Sequence, residues 1–569
     1  MKVSLVICSG LYLLGMLGLT LFVSPVAAQV FDSGPSDSAL FDTVINIPSD
    51  MNVDIPRSIG GDGFTTQINV SEGIALPAVE INSGVEVNII GGYSGIGRSA
   101  FSGSEINMSA GQIGTCFRSH GVVNITGGTI GQNFRSESGS VTNISGGSTS
   151  NIFRAFAGSE VTISGGSLHR RQFGAEAGSD VELIGGEFQL NGEAYNGSTL
   201  TLGAGDIFSG TLADGSTFIF SNISSSIGVE DVKLTSVVLP TLGQSPIVVS
   251  TPNPNLPSGL RPGQVMTLQD GGELGVNFHV VDATLNIEGG SLGDDASVIG
   301  GVANITGGSV GDDFGAFGDS VVNIGGGSVG RSLFASSGSV VNISGGSLGN
   351  SFFAGSDSVV NISGGSLDHS FSVGIGSEVN ISGGSVGAFS STGGLGSVFN
   401  ISGGSVGDFF LAFPDSVLNI SGGTIGTLEA AESSRVNLFG SDFILDGVPL
   451  DDSLAINNAF TIVDRDVTLS GLLEDGSAFS FDLNSVPVGD FFSDNDLFHS
   501  DATLTVTLVA SNGLLGDVNL DGVVDFFDIA PFIAILADQM FQFEADIDGD
   551  QDVDFFDIAP FIEILAGQG

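Results

Sequence analysis

The chain has no tryptophan and only 3 tyrosines among 569 residues. Flat aromatic platforms that stack on sugar rings are therefore scarce, and ordinary sugar binding is disfavoured. Basic residues are few: 13 Lys plus Arg face 63 Asp plus Glu, for a formal charge of -50. Generic nucleic-acid or anionic-membrane binding needs clustered positive charge to displace counterions, and this balance excludes both. Cysteine is almost absent. Cys8 falls in an N-terminal segment with Lys2, an apolar run from Leu5 to Val23, and Val26-Ala27-Ala28 before Gln29. Those three regions read as a signal peptide over 1–28, and Ile7 before Cys8 argues against lipoprotein processing. With that segment removed Cys116 stands alone, so no intramolecular disulfide is expected and Cys116 reads as a small core residue. No later stretch is long and apolar enough to span a bilayer. The expectation is a secreted chain, extracellular or at the cell surface, without a transmembrane segment.

What the chain does have is 89 glycines, 42 phenylalanines and 41% hydrophobic residues. That is too apolar for a disordered chain, so the glycine punctuates an ordered repeat. Val123-Asn124-Ile125-Thr126-Gly127-Gly128 returns as Val341-Asn342-Ile343-Ser344-Gly345-Gly346 and Val379-Asn380-Ile381-Ser382-Gly383-Gly384. The marker position falls at Asn88, Asn107, Asn124, Asn143, Thr162, Glu182 and Thr201, then again from Asn286 to Asn437. Val and Ile flank it with period two and face one side, Asn and Ser face the other, and Gly-Gly turns the chain. A unit of about 19 residues cannot bury its own apolar face, so units must stack coil on coil.

The expected fold is mainly β, as two consecutive parallel β-helix or β-solenoid blocks. Ten positions past the marker come Phe117, Phe134, Phe153, Phe314, Phe352, Phe371 and Phe410, read as a stacked aromatic rib. The shared endings Gly210–Ser216 and Gly471–Ser477 suggest a cap on each block, and six prolines from Pro240 to Pro262 mark the boundary between them. The expected division is 29–235, 236–510 and a C-terminal module over 511–569.

In that module two segments repeat at a spacing of 29, each led by a carboxylate-rich loop. The first loop places Asp517, Asn519, Asp521, Asp525 and Asp528 at positions 1, 3, 5, 9 and 12, with Gly522 at the turn; the second places Asp546, Asp548, Asp550, Asp554 and Asp557. Val523 and Asp552 complete the two sets at position 7. Rings of oxygens at such spacing suit calcium, two ions in all. Gln551 replaces the turn glycine, so the second site is expected to be weaker. The pattern D-x-N-x-D-G-x-V-D-x-x-D, with Asp at position 12 and one helix after each loop, resembles the dockerin family of the cellulosome type. The resemblance covers about 53 residues and implies a small α-helical, EF-hand-like calcium module that binds a cohesin-type extracellular receptor. Phe526-Phe527 and Phe555-Phe556 occupy positions 10 and 11, where the family often carries small hydroxyl residues that help to choose the partner. Exposed, they would make an apolar docking face; buried, they would close the small core.

Dockerins usually ride on polysaccharide-degrading enzymes, so the resemblance also implies a context of polysaccharide catabolism. The residues favour a repeat scaffold or adhesin-like protein instead, because coils of nearly uniform length leave few bulging loops for a catalytic cleft; a polysaccharide lyase or O-glycosyl hydrolase is the alternative. Candidate catalytic groups lie eight positions past the marker, where Asp312, Arg331, Asn350 and His369 fall in one line. Eleven positions past it come Arg118, Arg135 and Arg154. That line either holds an anionic polysaccharide by bidentate pairing or neutralises the protein's own carboxylates.

Overall fold

The computed structural model describes residues 43–567, except 48–57, 60–65, 72–74, 77–79, 95–98, 151, 170–172, 222–227, 243–245, 254–255, 336–337, 393–394, 451–453, 486–495, 510–515, 517, 520–523, 525, 539–544, 546 and 548–552. The chain divides into two compact units. One comprises 1–245, 254–264 and 274–283; the other comprises 246–253, 265–273 and 284–569. Each contains a parallel β-solenoid.

In the first unit one strand per coil stacks in register. Asn46, Asn69, Asn88, Asn107, Asn124 and Asn143 lie opposite one another, followed by Thr162, Glu182 and Lys233. In the second unit the series runs from Thr267 through Asn286, Asn304, Asn323, Asn342, Asn361, Asn380, Asn400, Asn419 and Asn437 to Thr505. The period-two pattern does what it predicts: Val322 and Ile324 are buried while Asn323 between them is half-buried on the outer face. From Asn88 to Asn143 and from Asn304 to Asn437, every Asn donates its Nδ2–H to the Oδ1 of the preceding coil's Asn at 2.7–3.2 Å. An amide carries both donor and acceptor, which is why this residue type can repeat indefinitely in a stack.

In some coils the Gly-Gly corner separates two strands, as between Val340–Ile343 and Ser347–Leu348; in others it is a bulge inside one continuous strand. In Val359–Leu367 the register shifts at Ser363 against the next coil. A Cβ on Gly364 would lie 2.4 Å from Ser344 O, and Gly365 takes φ +77°, where a Cβ would lie 2.8 Å from the carbonyl oxygen of Gly345. Only glycine permits both the close approach and the left-handed backbone.

The expected rung at Thr201 is absent. The strand Asp180–Leu190 instead reverses through Asn191-Gly192, both at positive φ, and pairs antiparallel with Glu193–Ala194 and Ile207–Leu212. Thr199–Leu202 then runs antiparallel to Val229–Ser236. The second unit ends the same way: Arg435–Leu445 reverses through Asp446-Gly447 and pairs antiparallel with Thr468–Leu473. Asn-Gly and Asp-Gly are the residues a tight hairpin of this hand requires. The shared ending forms a latch in both units. Asp214 accepts from Gly166 N–H at 2.8 Å and Ser216 N–H at 2.9 Å; Asp475 accepts from Gly423 N–H at 2.6 Å and Ser477 N–H at 2.9 Å.

The aromatic rib is continuous in the first unit: Phe117, Phe134, Phe153, Phe173 and Phe220 stack with ring centroids 4.5–5.8 Å apart. In the second unit Phe314 is followed by buried Leu333, then by Phe352 and Phe371 at 4.8 Å. The next coil puts buried Ser390 at the rib position, and Phe399 fills the gap from the marker strand, 5.8 Å from Phe371 and 5.1 Å from Phe410. A small residue at one position is thus offset by a large one at another, as close packing demands. Cys116 is half-buried at φ 59°, which corrects the expectation of a small core residue; Cys8 lies outside the described residues.

Candidate functional site

The two α-helices among the described residues, α1 (Ile529–Asp538) and α2 (Ile558–Gly567), follow the two acidic loops. Pro531 and Pro560 are the third residue of each, where the absent N–H has no helical acceptor to lose. The helices pack through equivalent residues: Phe532 and Phe561 stack with centroids 4.2 Å apart and planes 12° from parallel. Val518, Ile535, Ala545 and Val553 complete this small core.

Of the predicted metal positions, Asn519, Asp528, Asp554 and Asp557 are described; Asp517, Asp521, Val523, Asp525, Asp546, Asp548, Asp550 and Asp552 lie outside the described residues. Both position-12 carboxylates, Asp528 and Asp557, are fully buried. Each ties its loop back to the loop's own start. Asn519 N–H donates to Asp528 Oδ1 at 2.9 Å, and Ile547 N–H to Asp557 Oδ1 at 2.6 Å. Asp557 Oδ2 also accepts from Asp554 N–H at 2.8 Å, while Asp554 Oδ1 accepts from Phe556 N–H at 2.6 Å, a reciprocal cap at the entrance to α2.

An ionised carboxylate taken out of water costs several kcal/mol unless an opposite charge compensates it. Residues 511–569 contain 13 Asp plus Glu and no Lys, Arg or His. The segment therefore has no cationic side chain of its own to pair with Asp528 or Asp557. A hard divalent cation takes carboxylate and carbonyl oxygens of the kind the two loops carry in sequence.

The paired phenylalanines settle on the exposed side of the two alternatives. Phe526, Phe527, Phe555 and Phe556 are 84%, 74%, 76% and 69% exposed, and Ile533 and Ile562 are more than half exposed. Equivalent positions of the two repeats are thus buried together or exposed together.

The polar line on the second unit is arranged differently from a catalytic cleft. Arg331 donates from Nη2 to Asp312 Oδ2 at 2.7 Å and from Nε at 3.2 Å, and its N–H reaches Asp312 Oδ1 at 2.8 Å. These bonds hold the Asp312 carboxyl below the ordinary carboxylate range. His369 Nδ1 lies 2.9 Å from Asp368 Oδ1, and Asn350 Nδ2 lies 3.4 Å from His369 Nε2. Asp312, Arg331, Asn350 and His369 stand on four successive coils; Arg331 and His369 are exposed and Asp312 is half-buried, and the charged groups are each committed to a neighbour. Arg118, Arg135 and Arg154 fall in register on the first unit. No helix among the described residues is long and apolar enough to cross a membrane.

No family model, curated protein or solved structure matches the chain.

Proposed function

We propose that the chain is a secreted β-solenoid scaffold, adhesin-like, attached through its calcium-loaded, dockerin-like C-terminal module to a cohesin-type extracellular receptor in a polysaccharide-processing or cell-surface setting. The observation that carries this reading is the complete burial of Asp528 and Asp557 in a segment without a basic side chain. Asp517, Asn519, Asp521, Val523, Asp525 and Asp528 would hold one calcium ion; Asp546, Asp548, Asp550, Asp552, Asp554 and Asp557 would hold the other. Bound calcium supplies charge compensation for the loops, and the hydrogen bonds from Asn519 and Ile547 then fix where α1 and α2 begin. The receptor surface is the set of exposed Phe526, Phe527, Phe555 and Phe556, whose apolar area suits a protein partner that buries aromatic anchors.

Calorimetric titration of the full chain with calcium tests the reading. Two binding events are expected, the weaker one in the loop bearing Gln551, and the paired change Asp528→Ala with Asp557→Ala removes both. A titration without heat beyond dilution in the unaltered chain overturns the proposal.

A further inference from the structure

On one face of the first unit, short parallel strands set Arg135 directly opposite Arg118 on one side and Arg154 on the other. The residues just before them, Phe117, Phe134 and Phe153, point inward and stack, so the arginine stems are pinned to the coil repeat of about 4.8 Å. Like charges directly opposite each other in a sheet destabilise it. A chain of charge -50 has many carboxylates with which to dilute such a column. It uses one.

Arg135 Nε lies 2.9 Å from Glu137 Oε1, an ion pair not aligned as a hydrogen bond, and its guanidinium sits 4.2 Å from the Phe156 ring centroid. Exposed Arg118 and half-buried Arg154 have no side-chain ion pair or hydrogen bond among the described residues, and Arg154 Nε is enclosed without an acceptor. Burial and then the neighbouring Arg135 push the Arg154 guanidinium below its ordinary pKa, with Glu176 acting in the opposite sense. Guanidinium does not give up its proton in proteins, so the uncompensated charge persists. Beside this column runs a second one of Phe101, His120, Glu137 and Phe156, joined coil to coil by main-chain hydrogen bonds. Phe101 and His120 stack at 6.4 Å. Planar cations thus stand next to a strip of apolar ring surface.

We infer that Arg118, Arg135 and Arg154 form a binding line for an anionic polysaccharide, whose carboxylate or sulfate groups pair with the free guanidinium forks of Arg118 and Arg154. Two coils separate those forks by about 9.6 Å, twice the inter-strand spacing. A glycan fits better than a nucleic acid. Its charges are spaced by neutral sugar, which can lie along Phe101 and Phe156, whereas a dense phosphate chain would meet the acidic remainder of the surface.

The test is isothermal titration of the full chain at low salt with polygalacturonate, dextran sulfate, neutral dextran and single-stranded DNA. At least one of the two anionic glycans is expected to bind, with affinity that falls steeply as salt rises, and neutral dextran is not. Arg118→Ala with Arg154→Ala should weaken binding about tenfold or more, and the corresponding Lys changes should restore only part of it, because a point charge lacks the fork. Arg435→Ala, on an exposed site of the other unit, should leave the affinity unchanged, and circular dichroism of each variant reports whether the coils are intact. Absence of binding to both anionic glycans, equal binding of DNA, or unchanged affinity in a folded Arg118→Ala, Arg154→Ala protein overturns the inference.

Discussion

In the solenoid coils the polar group that faces the next rung is an amide, and in the C-terminal module it is a buried carboxylate. Asn342 donates to Asn323 and accepts from Asn361, so each rung is satisfied by chemistry its neighbours already contain. Asp528 and Asp557 accept main-chain N–H groups in a segment, 511–569, whose sequence carries no Lys, Arg or His. The first arrangement propagates through contacts between equivalent coils, as nearest-neighbour stacking does in repeat proteins. Under the proposed reading, the second closes with an added cation. On that reading, one chain contains a region whose stability is built from redundancy and a region whose stability is conditional.

The largest effect expected from breaking this contrast is in the module. Asp528→Ala with Asp557→Ala should abolish the helical circular dichroism signal of α1 and α2 while leaving the β signal of the coils in place; retention of the helices would remove the distinction. Within the coils, Phe399→Val should cost about 2 kcal/mol in denaturant unfolding of the second unit, because it empties the space that Ser390 leaves in the aromatic rib. Adding Ser390→Phe to that variant should recover much of the loss, and additive destabilisation would show that the two positions do not share one space. Smallest is Asn361→Ala, which removes two ladder bonds on a half-buried face and should cost about 1–2 kcal/mol by the same measurement.

The contrast was only partly legible in the sequence. The asparagine phase and most of the rib were readable because a strand period of two and a nearly constant coil length put like residues at fixed offsets. Phe173 escaped because its coil is one residue longer, pairing Phe153 with Phe173. Phe399 escaped because it reaches the rib from a different strand, a substitution of volume rather than of position. Thr201 kept the phase but not the pairing, since Asn191-Gly192 had already turned the chain; that dipeptide, and Asp446-Gly447, were the available signals.

In the module the loop spacing was plain in the sequence, but the exposure of Phe526 and Phe555 was not. Stacking of Phe532 on Phe561 decides it, by filling the core from the helices and leaving the loop phenylalanines outside. The line of Asp312, Arg331 and His369 looked like a convergent polar site because residues one coil apart must meet. They pair only locally: Arg331 with Asp312, and His369 with Asp368 and Asn350.

Differential scanning calorimetry of the full chain, with calcium and with a chelator, tests the central contrast most directly. The account predicts a calcium-dependent transition belonging to the module, lost on chelation, and a solenoid transition whose midpoint does not move. A thermogram indifferent to calcium, or one in which the solenoid transition shifts with it, would contradict the account.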